Sequence, residues 1–262
     1  MARYKLILAY DGAEFAGSQR QAQSRTVQGE LEKALRKLGW SGRSVTMAGR
    51  TDTGVHATGQ VAAFDLDWAH TPGELHRALN MGLPSDLAVK HVCEAPADFH
   101  PRFDAASRRY VYRLFCQPIR DPMRERYEWR VWPEVHGATL TEAAALFPGT
   151  HDFSAFGSPT TPKGATVRTV MHSEWHGFDG EWQFVVQADA FLYRMVRRMV
   201  FVQVAVAQGK CSLEQVRDVL SEQSMPLSRA VPAGGASRGI PAGLAPAHGL
   251  TLVEVTYGSK PG

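Results

Sequence analysis

An aspartate set between glycines is the first feature of this 262-residue sequence with an evident chemical use: Gly49-Arg50-Thr51-Asp52-Thr53-Gly54-Val55-His56. The segment lies between two stretches that read as strands, and its glycines permit tight turns that project the side chains between them. Asp52 then points into whatever cleft adjoins the loop, where a carboxylate serves as nucleophile or general base. A plainer use is also open, because an aspartate between threonines commonly closes an Asx-turn or caps a helix.

The second chemical signal is basic residues interleaved with rings. Arg102, Arg108, Arg109 and Arg113 crowd one segment with Phe103, Tyr110 and Tyr112, and Arg194, Arg197 and Arg198 crowd another beside Tyr193. Guanidiniums for phosphates beside aromatic faces for bases suit RNA. Arg20, Arg50, Arg109, Arg194 and Arg198 are the candidate substrate contacts. Bulk charge adds little, since 29 Lys and Arg against 26 Asp and Glu leave only +3. Each cluster also reads as an ordinary solvated face. Tyr110 alternates with Tyr112 and so equally suits a strand residue packed in a core. Arg194, Arg197 and Arg198 have the spacing that shares one helix face.

Other chemistries lack their residues. His172 and His176 lie four apart on an expected strand, about 13 Å from each other, too far to share an ion. Asp65 and Asp67 merely alternate along a strand, which disfavours a metal-dependent nuclease. No phosphate-binding glycine loop and no Ser, His and Asp arrangement is legible. We expect no metal and no cofactor. Cys93, Cys116 and Cys211 are odd in number and widely spaced, which suits a reducing compartment. The apolar run Leu6 to Tyr10 is too short for a secretory signal, and Met199 to Ala207, interrupted by Gln203, is too short to span a membrane. The expectation is a cytoplasmic protein without a membrane segment. A non-catalytic RNA-binding module is the alternative reading.

Two units of similar order must position these residues. Tyr4 to Tyr10 reads as a strand, and Val27, Leu31, Leu35 and Leu38 fall at helical spacing behind Thr26 as N-cap. Val45 to Ala48 and Val61 to Leu66 read as strands, Thr71-Pro72-Gly73-Glu74 as a capping box opening a helix that ends near Gly82, and Ala88 to Val92 as a strand. The order recurs with Arg108 to Cys116 as strand, Leu140 to Phe147 as helix, Val167 to Trp175 and Trp182 to Ala188 as strands, and Leu192 to Gln208 as a long helix. A short helix follows, capped by Ser212 with Gln215, and Leu250 to Tyr257 closes as a strand. Both halves are thus β-α-β-β-α-β, an α+β chain of two ferredoxin-like units covering residues 1–104 and 105–262. Pro226 to Gly249, with Arg229 and Arg238, reads as a mobile loop.

The stretch AGRTDTGVHATGQVAAF resembles the active-site motif of the tRNA pseudouridine synthase A family. YDGAEFAGSQRQ, TVQGELEKAL, NMGLPSDLAV, DFHPRFDAASRRYVYRLF, HDFSAF, DAFLYRMVRRMV and GLTLVEVTY resemble further family segments, in the same order along essentially the whole chain. The resemblance implies Asp52 as the catalytic carboxylate, Tyr110 as the ring that stacks on the target base, and Arg197 as the basic partner of the aspartate. It implies one extended mixed and antiparallel sheet with helices on one side, a basic cleft between the units, and a homodimer. The implied partner is tRNA, with uridines of the anticodon arm at roughly positions 38 to 40 converted to pseudouridine in an extruded-base pocket. Ser18, Thr53, Pro101 and Phe201 depart from the usual pattern, which has tryptophan, alanine, alanine and glycine there.

Overall fold

The computed structural model describes residues 1–159, 161, 164–222 and 239–258. Its regular elements run β1 (Ala2–Tyr10), α1 (Val27–Lys37), β2 (Thr46–Met47), β3 (His56–Leu66), α2 (Pro72–Gly82), β4 (Leu87–Glu94), β5 (Ala105–Cys116), β6 (Trp129–Val131), α3 (Gly137–Ala144), β7 (Gly149–Asp152), β8 (Val167–Phe178), β9 (Glu181–Ala188), α4 (Met195–Ala207), α5 (Leu213–Glu222) and β10 (Leu250–Tyr257). The α+β chain divides into two compact units, Met1–Arg108 with the closing strand from Thr251, and Arg109–Leu250.

In the first unit, alternation along β1 buries Tyr4, Leu6 and Leu8 on one face. That face meets Leu31 and Leu35 of α1, Phe64 and Leu66 of β3, and Leu75 and Leu79 of α2, so both helices cover the same side of the strands. Local chemistry fixes where the helices start. The Thr26 hydroxyl accepts from Gly29 N at 3.2 Å. Thr71 and Glu74 exchange backbone-to-side-chain bonds of 2.9 and 3.3 Å ahead of Pro72. The strands pair in the order β4-β1-β3, all antiparallel, with β2 antiparallel on β3. The β1–β3 ladder is bulged: Leu8 faces Gln60 but Tyr10 faces Ala57, so β3 carries one residue more than β1 over that step.

The closing strand corrects the expected division. Read from sequence as the end of the second unit, β10 groups with the first, because Thr251 and Leu252 pair in parallel with His56 and Ala57. The Thr256 and Ser107 hydroxyls also meet at 2.6 Å. The units part between Arg108 and Arg109, inside β5, rather than before that strand.

The second unit orders its strands β5-β9-β8-β7, with β6 parallel on β5. Tyr112, Leu114, Phe147, Phe153, Phe156 and Phe184 are fully buried in its core. Gln203, which interrupts the apolar run of α4, is buried and satisfied: it accepts from Trp175 Nε1 at 2.8 Å and donates to Met199 O at 3.1 Å. Ser212 and Gln215 form the expected capping box at 2.8 and 3.1 Å. Three features depart from expectation. The short strands β6 and β7 are additional, α3 begins earlier behind His136, and α4 begins at Met195 because Arg194 is left-handed at φ +65°. Among the described residues no helix is long and apolar enough to cross a membrane, and Cys93, Cys116 and Cys211 are free thiols.

Candidate active site

The Asp52 loop joins β2 to β3, and small groups build it. Gly54, at φ +80°, lets the chain turn so that Val55 N donates to Asp52 O at 3.2 Å. Thr51 is buried, Asp52 half-buried and Thr53 exposed, so the side chains fan from interior to solvent across three residues.

Thr51 is bonded at its amide, its carbonyl and its hydroxyl. Its N–H donates to Ser18 Oγ at 2.8 Å, its carbonyl accepts from Ser18 N at 3.1 Å, and its hydroxyl lies 2.9 Å from the Tyr10 hydroxyl. Gln60 Nε2 reaches Tyr10 Oη at 3.4 Å and Gly49 O at 3.0 Å. Burial pushes the Tyr10 hydroxyl above its ordinary pKa, so it keeps its proton as a hydrogen-bond donor. Two glycines of the preceding segment permit this approach. A Cβ on Gly17, at φ +89°, would stand 2.9 Å from Thr51 O, and one on Gly12 would stand 2.0 Å from Val55 O. Past the turn, buried His56 has Nδ1 at 3.0 Å from Gly12 N and 3.1 Å from Asp11 Oδ1. That nitrogen accepts from the amide when bare and donates to the carboxylate when protonated.

The arginines of the first unit differ from one another. Arg50 is exposed beside Asp52. Arg20 is committed to a structural partner, its Nη1 lying 2.5 Å from Glu32 Oε2. Glu32 is fully buried and also accepts from Gln28 Nε2 and Val45 N at 2.9 and 3.0 Å. Arg108, read only as one of a basic cluster, donates to Ala48 O at 3.2 Å and braces the entry to the loop.

In the second unit Tyr110 is 8% exposed and meets Phe191 edge to face, with ring centroids 5.2 Å apart. Arg109 beside it is half-buried. The expected single stripe of three arginines does not form, because Arg194 precedes the helix and its guanidinium lies over Tyr193, 4.7 Å from the ring centre. Arg197 and Arg198 do lie on α4, and both grip the stretch from Gly239 to Gly249. Arg197 Nε donates to Ala245 O at 2.8 Å, and Ala245 N returns a bond to Arg197 O at 3.2 Å. Arg198 Nη1 donates to the carbonyls of Pro241 and Gly243, the latter at 3.1 Å. Burial lowers the Arg198 pKa. Opposite, fully buried Tyr112 donates to Pro246 O at 2.9 Å. Read from sequence as part of a mobile loop, this stretch is tied down from α4 and from β5. The remainder of that loop, with Arg229 and Arg238, lies outside the described residues.

A family model described as tRNA pseudouridine synthase matches residues 6–104 and 143–258. The chain is 40% identical to a tRNA pseudouridine synthase A of Chloroflexus aurantiacus over 98% of its length and 89% of that protein. It is 38% identical to one of Limosilactobacillus fermentum over 99% and 97%, and 38% identical to one of Geobacillus kaustophilus over 97% and 94%. The chain belongs to the tRNA pseudouridine synthase family.

Asp52 falls in the first stretch matched to the synthase model and Arg194, Arg197 and Arg198 in the second, while Tyr110 falls between them. What sequence reading missed on this synthase is the support of Asp52: Ser18, Tyr10 and Gln60 lie 33, 41 and, by way of Tyr10, 50 residues from their partners. Ser18 carried the one sequence signal, as a small polar residue at a position where a large ring is usual. Among the described residues no group of three or more His, Cys, Asp or Glu could hold an ion. His172 and His176, expected about 13 Å apart from strand spacing, both reach the same Glu174 oxygen, at 3.5 and 3.7 Å, so their ring nitrogens converge more closely than the backbone spacing implied.

Proposed function

We propose that this chain isomerises uridine to pseudouridine in the anticodon stem-loop of tRNA, at roughly positions 38, 39 and 40, on a base extruded from its stack. The bond from ribose C1′ to base N1 breaks, a bond from C1′ to C5 forms, C5 loses its proton and N1 gains one. No atom is added or lost, so the balance needs no redox agent, energy donor or cofactor. Asp52 is the carboxylate that assists, by attacking sugar or base or by taking a sugar proton to give a glycal-like intermediate. Tyr110 stacks on the extruded base. Arg197 is the basic partner of the aspartate. Arg50, Arg109, Arg194, Arg198 and Arg20 serve the RNA backbone, Arg20 only as far as its bond to Glu32 leaves donors for phosphate. The working form is a cytoplasmic homodimer.

The observation that supports this reading is the match of nearly the whole chain to proteins bearing one activity in their names. Beside it stands a half-buried aspartate whose neighbour Thr51 is held at amide, carbonyl and hydroxyl. The test is release of tritium from C5-labelled uridine in tRNA without added metal or nucleotide. Wild type is expected to release it at the anticodon arm. Asp52→Asn, which keeps the shape and removes the charge, is expected to lose about a thousandfold or more of the rate while still binding tRNA. Binding without release by wild type would favour a non-catalytic RNA-binding module, and turnover by Asp52→Asn would remove that residue from the chemistry.

A further inference from the structure

We infer that Ser18 is a positioning residue for Asp52, acting through the backbone of Thr51. The inference rests on Asp52 being the reacting carboxylate. Ser18 touches both peptide planes of Thr51. Its Oγ accepts the Thr51 N–H, in the peptide shared with Arg50, and its own N–H donates to the Thr51 carbonyl, in the peptide shared with Asp52. The main-chain bond sets the plane from which Asp52 departs and survives replacement of the side chain; the Oγ bond fixes the peptide before it, so its loss lets Thr51 rotate and swings the carboxylate.

Ser18 can act as an anchor because it is itself fixed to a rigid element. Its carbonyl accepts Gln28 N at 3.0 Å and that of Gly17 accepts Val27 N at 3.4 Å, two of the amides that the first turn of α1 leaves without helical partners. The linkage therefore runs from α1 through Ser18 to Thr51 and on to Asp52. Ser18 is 1% exposed and Thr51 7% exposed. Bulk water is thus excluded from the bond, and loss of the serine oxygen leaves a buried amide unsatisfied. The Tyr10 hydroxyl holds the Thr51 side chain instead and cannot replace the missing backbone constraint.

The experiment compares Ser18→Ala and Ser18→Thr with wild type in three measurements: single-turnover isomerisation at saturating enzyme, tRNA affinity, and hydrogen exchange at the Thr51 amide. Ser18→Ala is expected to react about tenfold more slowly with affinity within about twofold, as misplacement of a reacting group does. Its Thr51 amide should exchange faster while α1 keeps its protection. Ser18→Thr, which retains the oxygen, should recover most of the rate. A merely structural serine would move melting temperature or affinity but not the chemical step alone. A wild-type single-turnover rate in Ser18→Ala, or a defect confined to affinity, would overturn the inference even if Asp52→Asn is inactive. Turnover by Asp52→Asn would instead overturn the assignment beneath it. Should Ser18→Ala not fold, exchange in wild type decides: slow exchange at Thr51 supports the bond, and exchange at the free-peptide rate refutes it.

Discussion

The Asp52 loop and the Arg197 helix face are held in opposite ways. Around Thr51 the work is done by short neutral groups, a serine, a tyrosine hydroxyl and a glutamine amide, brought close by glycines that leave room for backbone. Around Arg197 it is done by guanidiniums directed at main-chain carbonyls of the 239–249 stretch, with Tyr112 fixing the next carbonyl from the other side. A carboxylate proposed to react needs exact placement, which short side chains bonded to the backbone supply. A cation on a long side chain must first be stopped from moving, and a bond at Nε fixes the guanidinium plane.

The largest effect expected from breaking this contrast follows from Arg197. Under the proposed role of Arg197 as basic partner of the carboxylate, Arg197→Met should lower the single-turnover rate about a hundredfold. Arg197→Lys keeps charge without the planar fork and should fall between the two. A wild-type rate in Arg197→Met, with a defect in Arg194→Met instead, would transfer the role to the neighbour ahead of the helix. Next comes Gly12→Ala, which puts a Cβ against the Val55 carbonyl. Overpacking of that kind costs about 1 to 3 kcal/mol, so thermal melting should drop, with rate lost through the distorted loop. An unchanged melting curve would mean that the close approach at Gly12 is not needed.

Smaller still is Tyr112→Phe, which deletes one part-buried hydrogen bond to Pro246 and should cost about 0.5 to 1.5 kcal/mol. Hydrogen exchange should rise over 244–250 and stay unchanged at Thr51. The smallest effect is a pH response. Burial lowers the His248 pKa, against the raising influence of the Glu128 backbone and Glu125. A histidine depressed in the folded state stabilises it above the ordinary histidine value, and that stability is lost as pH falls through the folded value. Exchange over 239–249 should therefore increase on acidification below about pH 6.5, an effect that His248→Gln should remove.

Which parts were legible from sequence follows from how far apart the partners lie. Helix starts could be read because capping is written within three residues, as in Thr71 with Glu74 and Ser212 with Gln215. The Asp52 loop could be found because its glycines and charge sit together. Its support could not, since Ser18 and Tyr10 reach Thr51 through contacts that exist only once β1, α1 and β3 are assembled. The strands β6 and β7 have three and four residues and owe their existence to pairing rather than pattern. Arg194 was misplaced for a local reason: spacing put it on the helix, but a left-handed residue ends the helical frame just before Met195. The grouping of β10 with the first unit was hidden because chain order suggests the opposite.

The bulge in the β1–β3 ladder makes this part of the molecule sensitive to length more than to identity. β3 spends an extra residue between the partners of Leu8 and Tyr10, and beside that step Gln60 reaches the tyrosine hydroxyl that meets Thr51. Deleting one residue between Ala57 and Gln60 would remove the bulge and with it the local bend beside Tyr10. Point changes at exposed Thr58 touch none of these bonds. Among descendants of this gene, replacements at Thr58 should therefore accumulate while insertions and deletions beside it are purged.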